Sequence, residues 1–212
     1  MTMSRVGLRQ RKKQATREAL RAAALRLALE RGPENVRVGD IAEDAGVSPR
    51  TYNNYFSSRE QAIVAGVTAE RESRVAAAVV ARSAEVSLSD AVIDAVVEEY
   101  TDPGDHARDV LAMITTNSAL RAAYVGSVGM IDGPLAGALS ERVGGMDRMT
   151  ARVIAAGVAA AIKVALREWL QSTTTSPSTG RLVVPSGSLP ELIRSALTSV
   201  APALDAAAER RS

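Results

Sequence analysis

Cysteine is absent from the chain, which excludes disulfides, cysteine-ligated zinc and thiol catalysis. The one histidine, His106, follows Asp105 just after a Pro-Gly turn. With no second His or Cys to share a metal, and no nucleophile context around it, it reads as an exposed first-turn residue. No stretch alternates with the period of a strand, so no Gly-rich phosphate loop follows one. The longest weakly polar run, Val153 to Ile162, holds ten residues and stops at Lys163. That is about half of the ~20 residues a membrane span needs. The basic start MTMSRVGLRQRKKQ runs into a charged segment, unlike a secretory leader. Glu98-Glu99 reads as a solvated helix face. Together these absences predict a soluble, cytoplasmic, non-enzymatic protein with no catalytic residues, no metal, no cofactor and no membrane partner.

What is present is unevenly shared. Residues 1–60 hold 12 Lys/Arg against 7 Asp/Glu, and residues 61–212 hold 14 against 17, which makes the chain's net +2. A basic front on an acidic body points to a polyanion at one end. The six aromatic residues are also clustered: three of them, Tyr52, Tyr55 and Phe56, lie within the stretch VSPRTYNNYF.

Helical periodicity dominates. Leu20, Ala23, Ala24, Leu27 and Ala28 share one helix face, ended by Gly32-Pro33. Val38, Ile41, Ala42 and Ala45 repeat the pattern up to Gly46, a C-cap residue. Ser48-Pro49 is a start signal for a third helix of about two turns, closed at Ser57-Ser58. Ser57 and Glu60 have capping-box spacing ahead of a longer helix over Gln61–Arg82. Further helices are predicted over Leu88–Tyr100, Asp105–Thr116, Ser118–Val143 (broken or kinked near Gly133-Pro134), Asp147–Gln171 and Leu189–Leu204 (broken near Pro202). The Ser/Thr/Pro/Gly-rich stretch from Ser172 to Ser188 reads as a loop.

Val38–Phe56 is therefore helix, tight turn, short helix, the pattern of a helix-turn-helix unit whose second helix enters the DNA major groove. Arg50 has the chemistry for guanine or phosphate, and Thr51 for a phosphate or a thymine methyl. Asn53 and Asn54 carry amides suited to adenine edges, and Tyr55 a hydroxyl for phosphate. Phe56 is expected to anchor the helix. Upstream, Arg5, Arg9, Arg11, Lys12, Lys13 and Arg17 form a basic arm, with Lys12 and Lys13 expected to meet DNA nonspecifically.

ALRLALERG followed by VGDIAEDAGVSPRTYNNYFSSREQAI resembles the N-terminal signature of the TetR family of transcriptional regulators, over about residues 16–65. The resemblance implies an all-α homodimer with an N-terminal three-helix DNA-binding domain and a C-terminal helical ligand-binding and dimerisation domain. On this sequence the division falls at 1–14 for the arm, 15–60 for the head and 61–207 for the body. The resemblance implies that Arg50, Thr51, Asn54 and Tyr55 face DNA and that Arg59 touches phosphate. Arg37 departs from the family's usual Thr or Ser, Asn53 from a common aromatic, and Ala28 from a common core aromatic.

In Met149–Leu170, apolar and small residues cover nearly the whole helix circumference, which predicts a helix buried on all sides. With Leu189–Leu204 it resembles the dimerising helix pair of the family, and Val153, Ala156, Gly157, Ala160, Val164, Leu192 and Ala196 are the expected interface. Met113, Tyr124, Val128, Met130, Ile131 and Trp169 are candidate walls of a pocket for a small apolar or amphipathic ligand. The expected function is a ligand-responsive repressor of a near-palindromic double-stranded DNA operator. A second reading keeps the helices but not the specificity: a small-molecule-binding or interaction module with a degenerate DNA-binding head. Resistance of DNA binding to random competitor separates the two.

Overall fold

The computed structural model describes residues 5–68, 71–101, 107–172 and 188–209, and among them all regular structure is helical. The helices are α1 (Arg5–Arg31), α2 (Val38–Asp44), α3 (Pro49–Tyr52), α4 (Arg59–Thr68), α5 (Arg71–Ala81), α6 (Leu88–Thr101), α7 (Ala107–Thr116), α8 (Ser118–Ser127), α9 (Asp132–Val143), α10 (Arg148–Ser172), α11 (Leu189–Thr198) and α12 (Ala201–Glu209). Two packing units result. One holds α1–α4, most of α7, and α8; the other holds α5, α6 and α9–α12.

In the first unit, the predicted face of α1 is the buried one: Leu20, Ala23, Ala24, Leu27 and Ala28 are each at most 3 % exposed. Helix α1 packs against α2 and α4, whose buried residues include Ile41 and Ala42 and Ala62, Ile63 and Val64. The crossing of α1 and α4 is close because of Gly66. A Cβ there would fall 2.7 Å from both the Arg21 carbonyl oxygen and Leu25 Cβ, closer than packed atoms tolerate. Gly32, at φ 79°, takes the left-handed turn that ends α1. Helix α4 also packs against α8.

In the second unit, α10 packs against α9 and α11, while α6 lies against α5, α11 and α12. Two long-range polar contacts tie this unit together. The Asp205 carboxylate of α12 accepts from the Ser89 backbone N–H at 3.0 Å and from Ser89 Oγ at 2.8 Å, capping the first turn of α6. The Arg142 guanidinium of α9 donates to the carbonyls of Val79, Arg82, Ser83 and Val86 at 2.5–3.2 Å. These include carbonyls that α5 leaves without helical partners at its C-terminus.

Several boundaries differ from the sequence expectation. The basic arm from residue 5 is not separate from the head, because α1 runs without a break from Arg5. The third helix is one turn of α-helix followed by tighter turns to Phe56, with Asn54 and Tyr55 N–H bonding three residues back. Gln61–Arg82 is two elements, α4 and α5, with residues 69–70 outside the described ones. The N-cap of α4 is Ser58, whose Oγ accepts from Gln61 N–H at 3.2 Å. Ser57 instead donates its backbone N–H to the Gln61 side chain.

Ser118–Val143 breaks at a 3-10 turn over Val128–Ile131, so Pro134 sits in the first turn of α9, where its missing N–H costs no helical bond. The expected break near Pro202 is present: α11 ends at Thr198, and Pro202 sits in the first turn of α12. The expected loop from Ser172 to Ser188, over 173–187, and the Asp102–His106 turn lie outside the described residues.

The composition of α10 predicts burial all round; within a single copy of the chain one face is open, and it carries Val153, Ala156, Ala160 and Val164 of the expected interface. Met149, Val153 and Val164 are 67 %, 60 % and 60 % exposed. By length and composition α10 is also the described helix apolar enough to cross a membrane, although only 44 % of its most apolar window is buried. Counting the uninterrupted run of ten residues misses this, because Lys163 and Arg167 punctuate an apolar helix without ending it.

Candidate nucleic-acid interface

The recognition turn is built from its ends inward. Gly46, at φ 67°, closes α2 with its N–H on the Glu43 carbonyl at 3.0 Å, and Val47 N–H returns to Ala42 at 2.9 Å. Ser48 then caps α3: its Oγ accepts from Thr51 N–H at 3.2 Å and lies 3.0 Å from Thr51 Oγ1. At the other end of the turn, Tyr52 and Phe56 are 0 % and 2 % exposed. They sit one helical turn apart with ring centroids 5.8 Å from each other. Tyr52 hydroxyl donates to the Ser58 carbonyl at 2.7 Å. Burial, with the Glu60 charge adding to it, pushes this phenol up to about 12. On α1, the Arg17 guanidinium stacks over the Phe56 ring at 5.1 Å from its centroid.

These anchors leave one side of the turn facing out. Arg50, Asn53 and Asn54 are exposed and Tyr55 half-buried, and no protein group among the described residues binds their side chains. Thr51 differs: it is half-buried, and its hydroxyl is shared with Ser48, so its methyl is the free part. Lys12 and Lys13 are exposed on α1.

Arg59 is already engaged. Its Nη1 donates to the carbonyls of Glu34 and Val36 at 3.0 and 2.9 Å, and its Nε to Glu60 at 2.7 Å. It pins the turn before α2 to the start of α4. Burial alone would raise the Glu60 carboxyl, but bonds from Arg59, its own backbone and Ser58 hold it below its usual value. At the start of α2, Arg37 has no acceptor to offer as a cap. The Asp40 carboxylate serves instead, taking Arg37 N–H at 3.0 Å.

Sequence reasoning found the outward residues but not Tyr52 and Arg17 as anchors. The i, i+4 spacing of Tyr52 and Phe56 was the available signal for the first. Nothing local signals the second, because Arg17 reaches Phe56 across 39 positions of sequence.

Of the expected pocket residues, Met113 and Tyr124 are buried in the first unit, whereas Val128, Ile131 and Trp169 are buried in the second. The backbone of Met130 lies in the 3-10 turn, and its side chain is outside the described residues. Two clefts in the second unit are lined by none of them. One, of about 350 Å³, lies beside Arg142 and is lined by Val80, Val86 and Leu88. The other, of about 380 Å³, lies between α9 and α10 over Gly133 and Gly137.

Of the expected interface residues, Val153, Ala156, Ala160 and Val164 are exposed on α10. Gly157, Leu192 and Ala196 are half-buried. Met149, Val153, Ala156, Ala160 and Val164 follow one another at intervals of three or four residues and form a single open stripe.

Described residues that are helical throughout, with a capped recognition helix whose Arg50, Asn53 and Asn54 side chains have no partner among them, have the form of a helix-turn-helix DNA-binding protein. The family described as bacterial regulatory proteins, tetR family, matches residues 20–65. The HTH-type transcriptional regulator TcmR of Streptomyces glaucescens is 32 % identical over 173 residues, covering 77 % of this chain and 76 % of that protein. The chain belongs to the TetR family and is a DNA-binding transcriptional regulator.

Proposed function

We propose that the protein is a cytoplasmic homodimer that represses transcription from a near-palindromic operator and releases it when a small apolar or amphipathic ligand binds. The observation that carries the reading is the recognition turn. Arg50, Asn53 and Asn54 stand exposed, with no partner among the described residues, on a helix whose other side is anchored by Tyr52 and Phe56. Unpaired guanidinium and amide groups on a rigid support are what base-edge recognition requires, because a flexible support would lose the bidentate geometry. Thr51, Tyr55 and the remaining nitrogen of Arg59 complete the contact to the phosphates, with Lys12 and Lys13 adding charge. Functionally, residues 15–60 are the head and 61–207 the sensing and dimerising body.

The open apolar stripe of α10, with Gly157 beside it and Leu192 and Ala196 on α11, supports the dimer. Exposed Met and Val at this density are unfavourable in water and favour a second copy. Two heads related by twofold symmetry then read half-sites one helical turn or a multiple apart. Val128, Ile131 and Trp169, within the second unit, remain proposed ligand contacts. The ligand acts by binding more tightly to the head spacing that does not fit DNA.

Selection from random-sequence duplexes tests the reading. The wild-type protein should enrich two inverted half-sites at a fixed spacing. Enrichment of no common sequence would replace this reading with the degenerate-head alternative.

A further inference from the structure

The basic segment ahead of the head is not a loose arm, and its cations are not scattered around the helix. From residue 1 to Arg17 there is no Asp or Glu. The helix α1 begins at Arg5, and none of the residues from Arg11 to Ala19 is buried. At about 100° per residue, Arg9, Lys12, Lys13 and Arg17 fall within about 140° of one another around α1. That arc coincides with the one occupied further along by Leu20, Ala23, Ala24, Leu27 and Ala28, the face buried in the head. Arg11 alone points to the far side. The orientation has an independent marker in Arg17, half-buried and stacked on Phe56 at the end of the recognition turn.

One helix face thus changes character along its length: apolar where protein covers it, cationic where none of the described residues does. We propose that this cationic stripe is a second DNA-contacting surface, a rigid helical rail laid on the phosphates flanking the site that the recognition turn reads. This deepens the DNA-binding reading of the head and rests on it. The stripe contributes no base discrimination, because lysine and arginine on a phosphate track carry no sequence information. Its contribution is affinity and salt sensitivity. A helical rail also differs from an extended strand threaded into the minor groove, since its contacts depend on helical phase.

The test is a salt titration of full-length protein on its selected operator and on random duplex of equal length. Arg9→Ala/Lys12→Ala/Lys13→Ala should lower affinity for both duplexes alike, by about 10- to 100-fold near 0.15 M salt, and flatten the slope of log K against log salt by about 2–3. Arg11→Ala should do less than any stripe cation alone. Inserting two alanines between Ala15 and Thr16 keeps every charge but turns the upstream cations by about 200°. It should reproduce the loss seen in the triple variant, with an unchanged melting temperature showing that the head is intact. An insertion variant that binds as wild type, or a triple variant with an unchanged slope, would overturn the rail. Absence of operator preference in the wild-type protein would instead strike the base-reading proposal and leave the salt slope to judge the rail separately.

Discussion

The recognition turn and the outer face of α10 are both exposed, with opposite chemistry. On the turn, the outward groups are Arg50, Asn53 and Asn54, polar and without partners among the described residues, over an anchor of Tyr52 and Phe56. On α10, Met149, Val153, Ala156, Ala160 and Val164 are apolar over an equally apolar buried side that includes Ala155, Val158, Ile162 and Leu166. Water solvates the first surface at no cost, so a partner must replace its hydrogen bonds group for group, which favours specificity. Water is a poor solvent for the second, so a partner need only exclude it, which favours strength. On the proposed reading, the first surface chooses a sequence and the second holds another copy of the chain.

The largest expected effect breaks the first surface. Replacing Arg50 and Asn54 together with alanine should lower operator affinity on the order of 10²- to 10⁴-fold while leaving binding to random DNA nearly unchanged. A competition titration with random duplex reads both quantities at once. The second surface should break under charge. Val153→Asp with Val164→Asp should convert dimer to monomer at micromolar protein, an expected rise of at least ~100-fold in the dissociation constant, because an unpaired carboxylate resists burial. Sedimentation equilibrium gives the mass directly.

Smaller effects test the support beneath the recognition turn. Gly66→Ala places a methyl against the backbone of α1 and should destabilise the head by about 1–3 kcal/mol in chemical denaturation. Tyr52→Phe should cost about 1 kcal/mol near neutral pH through loss of the bond to the Ser58 carbonyl. It should also change the alkaline behaviour. The folded chain holds the Tyr52 proton up to about pH 12 against 10.0 for a free phenol. Its contribution is complete below pH 10 and is lost as pH rises through 12. Unfolding titrations should show this alkaline loss in the wild type and less of it in Tyr52→Phe.

Much of this was legible in the sequence, and for local reasons. Ser48-Pro49, Gly46 and the 3.6-residue spacing of Leu20 to Ala28 specify caps and faces within a few residues of themselves, and the structure uses each of them. What was not legible depends on partners distant in sequence. The engagement of Arg59 with Glu34 and Val36 spans more than twenty positions, and the capping of α6 by Asp205 spans 116. Four residues of the open stripe on α10, Val153, Ala156, Ala160 and Val164, were anticipated only through the family resemblance, not through composition. Alanine and valine fill its buried and exposed sides alike, so composition cannot tell an intramolecular contact from a face left for another molecule.

The separability of the two surfaces is the central claim, and crossing two measurements on two variants tests it. Operator affinity by fluorescence anisotropy and molecular mass by sedimentation are measured for Arg50→Ala/Asn54→Ala and for Val153→Asp/Val164→Asp. The account predicts that the first variant stays a dimer and loses sequence preference, and that the second becomes a monomer whose heads retain only weak binding to single half-sites. A recognition-turn variant that binds the operator as well as wild type, or an α10 variant that remains dimeric, would contradict it.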